Sequence, residues 1–128
     1  MRNFLFMLGA AILPLAVLAA SPAEIAASYA KAAGAPASAE RGRTFFTTTH
    51  GSEWSCATCH HERPTTAGRH ARTGKTIEAL APAGNPTRLT DPAWVEKWLR
   101  RNCNDVAGRE CSAQEKADVT FWLSTLKP

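Results

Sequence analysis

One pentapeptide limits what this 128-residue chain can fold into. Cys56 and Cys59 stand two residues apart, and His60 follows the second cysteine directly. Thiols at this spacing can bond to the vinyl groups of a haem while the adjacent imidazole ligates its iron. On one helical turn, the two sulfurs would reach neighbouring edges of the macrocycle and His60 would project beneath the metal. We therefore expect one covalently attached haem c, with Cys56 and Cys59 as attachment sites and His60 as proximal ligand.

A Cys-x-x-Cys pair also occurs in zinc sites and in thioredoxin-like redox sites. Zinc would need further ligands at matching spacing, but the two remaining cysteines, Cys103 and Cys111, form no second Cys-x-x-Cys pair. A thioredoxin motif would need a surrounding βαβ pattern, and the sequence has none. Covalent haem is therefore the favoured interpretation.

The N-terminus has the pattern of a secretory signal peptide. Residues 1–20 begin with a positive charge, continue through an apolar run over 4–18 and end in two alanines. This predicts a signal peptide cleaved after residue 20, a mature domain over 21–128 and a periplasmic location. The alternative is that these residues stay on the protein as an uncleaved membrane anchor. The apolar run is short for a membrane span and contains Pro14, which favours cleavage, and we expect no membrane span in the mature chain. Export also suits a disulfide, which forms in oxidising compartments.

Charge and length narrow the class further. The formal net charge is only +4, and no run of Lys and Arg is interleaved with aromatic residues, which argues against a nucleic-acid binder but leaves local basic patches open. About 108 mature residues suffice for one small domain, and a haem adds a large apolar body to its core. Basic residues concentrate over 63–75. They are either solvated surface, partners of the haem propionates, or a docking edge for an acidic partner.

The mature chain is predicted to be all-α, with helices and loops wrapped around one haem. Ser21 begins a capping box that opens a helix ending at Gly34. A second helix should begin near Ala37 or Ser38, and Gly42 within it should let another helix cross closely. About thirty residues after His60 are punctuated by Gly and Pro and should form loops.

Two further helices are expected near the C-terminus. Asp91 caps a short helix with proline in its first turn, and its buried face carries two tryptophans. Residues 104–110 should form a turn. Ser112 then opens a second capping box, and an apolar stripe marks the terminal helix: Val119, Trp122, Leu123 and Leu126.

The sixth iron ligand cannot be methionine after signal cleavage, because Met1 and Met7 both lie in the signal peptide. His61 adjoins the proximal histidine and cannot easily reach the opposite face of the same iron. His50, His70, a lysine, an asparagine or no protein ligand remain. Asn102 is a candidate because it extends the Trp94/Trp98 stripe by four residues, although the residues alone favour a simple helix C-cap at this position.

Cys103 and Cys111 bracket the seven residues of the expected turn. In an oxidising compartment, a disulfide between them is the natural pairing. Because Cys103 follows Asn102, such a bridge would stiffen the backbone beside the haem.

The order of these features resembles class I cytochromes c: a helix with Gly42 and Phe46, the Cys-x-x-Cys-His motif, loops, and an aromatic C-terminal helix. Four stretches resemble, more narrowly, the sphaeroides haem protein family: Ala39-Glu40-Arg41-Gly42-Arg43, Arg72-Thr73-Gly74-Lys75, Val95-Glu96-Lys97-Trp98-Leu99 and Arg101-Asn102-Cys103-Asn104. The resemblance covers essentially the whole mature chain, and the Arg-Asn-Cys-Asn string is its most specific part.

The resemblance implies a class I cytochrome c fold, with Asn102 ligating oxidised iron beside a Cys103–Cys111 bridge. It further implies that Asn102 leaves on reduction, that small diatomic molecules such as oxygen and nitric oxide then bind, and that a dihaem cytochrome c supplies electrons. Two other functions remain open: a simple electron carrier, or a small haem oxidase or peroxide reductase. No acid or base partner identifies such enzyme chemistry, although His50 or His70 could fold over the distal face of the haem.

Overall fold

The computed structural model describes residues 13–15 and 18–128. This part of the chain contains five α-helices and one two-stranded antiparallel ribbon. In chain order they are α1 (Pro22–Ala33), α2 (Ala39–Thr47), α3 (Cys56–His60), β1 (Gly68–Arg69), β2 (Thr76–Ile77), α4 (Pro92–Ala107) and α5 (Ala113–Thr125). The all-α class is confirmed, and the short ribbon is an addition that the sequence did not predict.

The predicted signal peptide falls largely on residues 1–12 and 16–17, which lie outside the described residues. Across 13–15 and 18–128, no helix has both the length and the apolar character needed to cross a membrane.

Helix starts follow the local capping chemistry. Ser21 and Glu24 form the expected capping box at α1, and the helix ends at Gly34 in the left-handed region. Ser38 caps α2, with its hydroxyl accepting from Arg41 N at 3.2 Å. Ser112 opens α5 with a second capping box. These side chains satisfy backbone N–H groups that have no partner within their own helices.

Helices α2 and α5 cross closely at Gly42, as predicted. A Cβ atom at this position would overlap the backbone carbonyl of Asp118 and touch Cβ of Trp122. The same crossing is fastened by Asp118, which is 3% exposed and accepts from Arg41 Nε at 2.8 Å and from Ser38 N at 2.7 Å. The core beneath it contains Ile25, Phe46, Leu89, Val95, Val119, Trp122 and Leu123.

Helix α4 is longer than predicted. It runs through the 104–107 part of the expected turn and ends at Gly108, whose φ is 67°. The physical reason is that Cys103 and Val106 continue the buried face, while the first residue suited to the left-handed conformation is Gly108. Asn102 therefore lies inside the helix, and the alternative that it is a C-cap is wrong.

The segment between α3 and α4 is organised by backbone hydrogen bonds. Gly68 and Arg69 pair with Ile77 and Thr76, respectively. Pro64 O accepts from the backbone N–H groups of Leu80 and Ala81, at 3.1 and 2.9 Å. These bonds shape most of the predicted loop region into a wall beside α3.

Candidate haem site

A cavity of about 560 Å³ lies between α3, α4, α5 and the segment that joins α3 to α4. This volume falls within the ordinary range for small-molecule and cofactor sites. Its wall is largely aromatic and aliphatic, and includes Phe46, Leu89, Trp94, Val95, Trp98 and Leu123. Such a lining suits a flat, mostly apolar ligand.

Helix α3 brings the three residues of the pentapeptide to this cavity. Ser55 precedes the helix and its backbone N–H donates to Thr58 Oγ1 at 3.0 Å, while His61 ends it with φ at 66°. Cys56, Cys59 and His60 all line the cavity, and both cysteines are free thiols. The helical turn expected from the sequence is therefore present.

The electrostatics of α3 differ from those of a thiol redox site and suit metal ligation by His60. Burial raises the pKa of the Cys56 thiol to about 11, so this cysteine lacks the readily formed thiolate of a thioredoxin-like site. Burial, followed by the positive charge of Arg88 and by His61, lowers the pKa of His60 to about 4. A neutral imidazole is the form that binds a metal.

Two neighbours fix the α3 wall. The Phe46 ring packs between His60 and Trp122, with ring centroids 6.1 and 5.0 Å away, respectively. On the other side, the backbone N–H of Ala71 donates to Cys59 Sγ at 3.3 Å, which ties the tip of the β-ribbon to the attachment motif.

Asn102 lines the same cavity from α4, on the face that carries the tryptophans. Trp94 and Trp98 pack together beside it, with ring centroids 5.8 Å apart. Among the described residues, the half-buried amide of Asn102 has no hydrogen-bond partner. By contrast, the exposed Asn104 donates from Nδ2 to the Arg100 carbonyl at 2.8 Å. Of these two asparagines, only Asn102 combines a cavity position with a free amide.

The structure joins Cys103 to Cys111 by a disulfide, with Cα atoms 5.6 Å apart. Both cysteines line the cavity, and they are 4% and 7% exposed. Arg109 fastens the same loop through two 2.8 Å hydrogen bonds from its guanidinium to the Glu115 carboxylate. The backbone on the C-terminal side of Asn102 is thus held by one covalent and one ionic bond.

The family model described as "Domain of unknown function (DUF1924)" matches residues 32–123. Cytochrome c-type protein SHP of Cereibacter sphaeroides is 54% identical over 108 residues, which are 81% of this chain and 83% of that protein. The chain belongs to the sphaeroides haem protein family. Cytochrome c'' of Methylophilus methylotrophus is more distant, at 42% identity over 84 residues, covering 65% of this chain and 58% of the other.

Solved structures agree with this family membership. The structure of oxidised SHP, described as an oxygen-binding cytochrome c, superposes with a TM-score of 0.79 at 52% identity, covering 84% of this chain and 99% of the other. Oxidised cytochrome c'' gives 0.76 at 34% identity, covering 84% and 96%. Its solution structure, described as giving insights into haem-ligand detachment, gives 0.73 at 34% identity, covering 84% and 94%. This member of the sphaeroides haem protein family is thus a monohaem cytochrome c whose cofactor is haem c.

The residues on the cavity wall fit that cofactor. Two free thiols and a neutral imidazole stand on one helical turn beside an apolar space, which is the donor set for covalent haem. A donor set for a metal ion alone is missing, since the described residues contain no cluster of three or more His, Cys, Asp or Glu side chains.

The other histidines are less suited than Asn102 to the sixth position. His50 is half-buried: its ring stacks on Phe45 and its Nε2 lies 2.8 Å from the Phe45 carbonyl oxygen. His70 does line the cavity, but its Nδ1 accepts from the backbone N–H groups of Arg72 and Thr73. The neutral ring then carries its proton on Nε2, which leaves that nitrogen no lone pair for a metal.

Sequence reasoning missed Arg88, a cation on the cavity wall. It lies in a turn-rich stretch between β2 and α4, where no helical or strand periodicity indicates which side chains face inward. Pro86 and Leu89 flank it in the sequence, but they do not indicate that the Arg88 side chain faces a cavity.

Proposed function

We propose that this protein is a periplasmic monohaem cytochrome c that binds small diatomic ligands when its iron is reduced. Cys56 and Cys59 hold the haem through thioethers, and His60 is the proximal ligand. Asn102 is the sixth ligand of oxidised iron and leaves on reduction. The haem supplies a redox-active iron with one exchangeable coordination position.

The observation that carries this proposal is the free amide of Asn102 in the same cavity as His60. An amide oxygen is a hard, neutral donor, so its bond to iron weakens when the metal charge falls from three to two. The imidazole of His60 binds both oxidation states well. Reduction should therefore release Asn102 and leave His60 in place.

The relatives support the same assignment. SHP is described as an oxygen-binding cytochrome c, and the solution structure of cytochrome c'' is described in terms of haem-ligand detachment. Ligand release followed by oxygen or nitric oxide binding is therefore the function we assign to this chain.

The attachment is tested by extraction. Acidified acetone should leave the haem on the wild-type protein, because thioether bonds survive it. Removal of the haem by this treatment would overturn the assignment of Cys56 and Cys59.

The ligand is tested by comparing Asn102→Ala with Asn104→Ala in optical spectra of oxidised and reduced protein. Oxidised wild type should lack the absorption band of methionine sulfur ligation, and reduced wild type should be high-spin and quick to bind carbon monoxide or nitric oxide. Asn102→Ala should bind added anions more readily in the oxidised form, with little change after reduction. Asn104→Ala is the matched control and should behave as wild type, because Asn104 bonds to its own helix.

A low-spin reduced protein that is inert to both gases would contradict the proposal. It would mean that a strong ligand such as His50 or His70 holds the iron, and that the protein is a simple electron carrier.

Export and electron supply complete the proposal. Leu13, Leu15 and Leu18 are 82%, 95% and 88% exposed, which suits a leader that is removed and does not join the core. The electron donor we assign is a dihaem cytochrome c or another redox protein. Arg63, Arg69, Arg72 and Lys75 are exposed and form no ion pair within the described residues, so they can attract an acidic donor beside the attachment motif.

A further inference from the structure

Arg88 is a cation held mostly out of water at the cavity wall. Its side chain is 14% exposed, and its Nε donates to the Ala79 carbonyl at 3.0 Å. The guanidinium carbon lies 4.9 Å from the centroid of a Trp94 ring. Withdrawing a guanidinium from water costs free energy unless an anion accepts its hydrogen bonds. The position therefore favours an anionic partner.

The nearby carboxylates do not act as that anionic partner. Glu78 Oε2 is 3.7 Å from Arg88 Nη2, which is too far for a hydrogen bond, and the Glu78 side chain is 78% exposed. This oxygen instead accepts from Asn85 Nδ2 at 3.2 Å. Asp91 lines a smaller cavity together with Arg88, but its carboxylate caps α4 by accepting from Ala93 N and Trp94 N. Within 13–15 and 18–128, the Nη1 and Nη2 groups of Arg88 have no hydrogen-bond acceptor.

We propose that Arg88 binds a haem propionate and keeps that carboxylate ionised. This inference rests on the proposed attachment of haem at Cys56 and Cys59. Arg88 and Trp94 both line the haem cavity, and the planar guanidinium presents paired N–H donors that match the two oxygens of a carboxylate. The ring of Trp94 holds that plane in position from one side.

Other cations on the cavity wall are less suited. Lys116 already donates to the Glu96 carboxylate at 2.8 Å. Arg101 is an exposed residue whose guanidinium lies over the ring of Trp98, at 5.3 Å from the centroid. Lys75 also lines the cavity but is exposed. Arg88 alone among these four is both withdrawn from water and short of acceptors.

The consequence is a reduction potential that does not vary with pH. A propionate paired with Arg88 stays ionised in both oxidation states. Without the guanidinium, a partly desolvated carboxylic acid holds its proton more tightly, and more so when the iron has lost one unit of positive charge. Electron uptake would then be accompanied by proton uptake. The titratable groups that face Arg88 are Glu78, Asp91 and His60, and His60 is held neutral as an iron ligand.

The test uses holoprotein of wild type, Arg88→Gln, Arg88→Lys and Glu78→Gln. Resonance Raman spectroscopy reports the bending mode of the haem propionates, and redox titration over a pH series reports the potential. Arg88→Gln should shift the propionate bending mode. Its reduction potential should fall as pH rises, with a slope that corresponds to the uptake of at most one proton per electron. Arg88→Lys should shift the mode but keep the potential flat, because the charge remains while the paired donors are lost. Glu78→Gln should match wild type in both readouts.

An unchanged propionate mode in Arg88→Lys, or a flat potential in Arg88→Gln, would overturn the inference. A Glu78→Gln protein that reproduced Arg88→Gln would overturn it as well, by making Glu78 the anion that matters. Extraction with acidified acetone separates the two proposals. Loss of haem from wild type refutes the attachment itself, whereas retained haem with no effect of Arg88 refutes only the propionate role.

Discussion

Removing the disulfide beside Asn102 should destabilise the protein by an amount that its loop length sets. Cys103 and Cys111 are eight residues apart. In the chain-entropy model, closing so short a loop stabilises the folded state by about 2.5 kcal/mol, because the crosslink restricts the unfolded chain. The double variant Cys103→Ala/Cys111→Ala leaves no thiol and adds no buried hydroxyl. Its melting temperature should be lower by roughly 10 to 20 °C.

Thermal unfolding followed by circular dichroism measures this difference. Arg109→Gln is the matched control, since it breaks the ionic clamp on the same loop without touching the bridge. Arg109 is 51% exposed, so its loss should lower the melting temperature much less than loss of the bridge does. The double variant should also bind carbon monoxide at a changed rate, because the bridge borders the haem cavity.

Equal melting temperatures for the double variant and wild type would refute the reasoning on loop closure. Two reactive thiols in unreduced, haem-loaded protein would show that the bridge itself is absent.

Two further predictions concern the helix crossing and the basic segment. Gly42→Ala should lower the free energy of unfolding by about 1 to 3 kcal/mol, because the added methyl group meets the Asp118 carbonyl. In the same denaturant titration, Arg43→Ala at the exposed neighbouring position should change it by no more than about 0.5 kcal/mol. The rate of electron transfer from an acidic donor protein, measured by stopped flow, should fall as the salt concentration rises. Arg72→Gln should weaken this salt dependence more than Lys31→Gln on α1. Rates that do not change with ionic strength would mean that residues 63–75 are solvated surface.

Local chemistry made several parts of this fold predictable. The starts of α1, α4 and α5 follow from Ser21, Asp91 and Ser112, because capping depends on residues within one turn of each other. The close crossing at Gly42 was likewise indicated, since a glycine inside a helix needs a reason for its cost. The pentapeptide placed its three residues at the cavity because they share one short helix.

Features that depend on distant contacts were not predictable from the sequence. The ribbon has only two residues in each strand, too few for an alternating pattern. The predicted end of α4 was too early because the Trp-rich stripe stops at Asn102, whereas Gly108 ends the helix. The burial of Arg88 could not be predicted, because Trp94 and Ala79 contact it only in the folded chain.

The position of Asn102 inside α4 bears on how fast its proposed release from the iron can be. Gly108 lies six residues beyond it, so the backbone at Asn102 is an intact helix between the tryptophan stripe and the bridged Cys103. If Asn102 is the sixth ligand that we propose, its departure from the iron involves rotation about side-chain bonds. This is a motion of picoseconds to nanoseconds for unhindered side chains, whereas loops move over nanoseconds to microseconds. The opened position should therefore form almost as soon as an electron arrives, and the pace of ligand capture would be set by the electron donor.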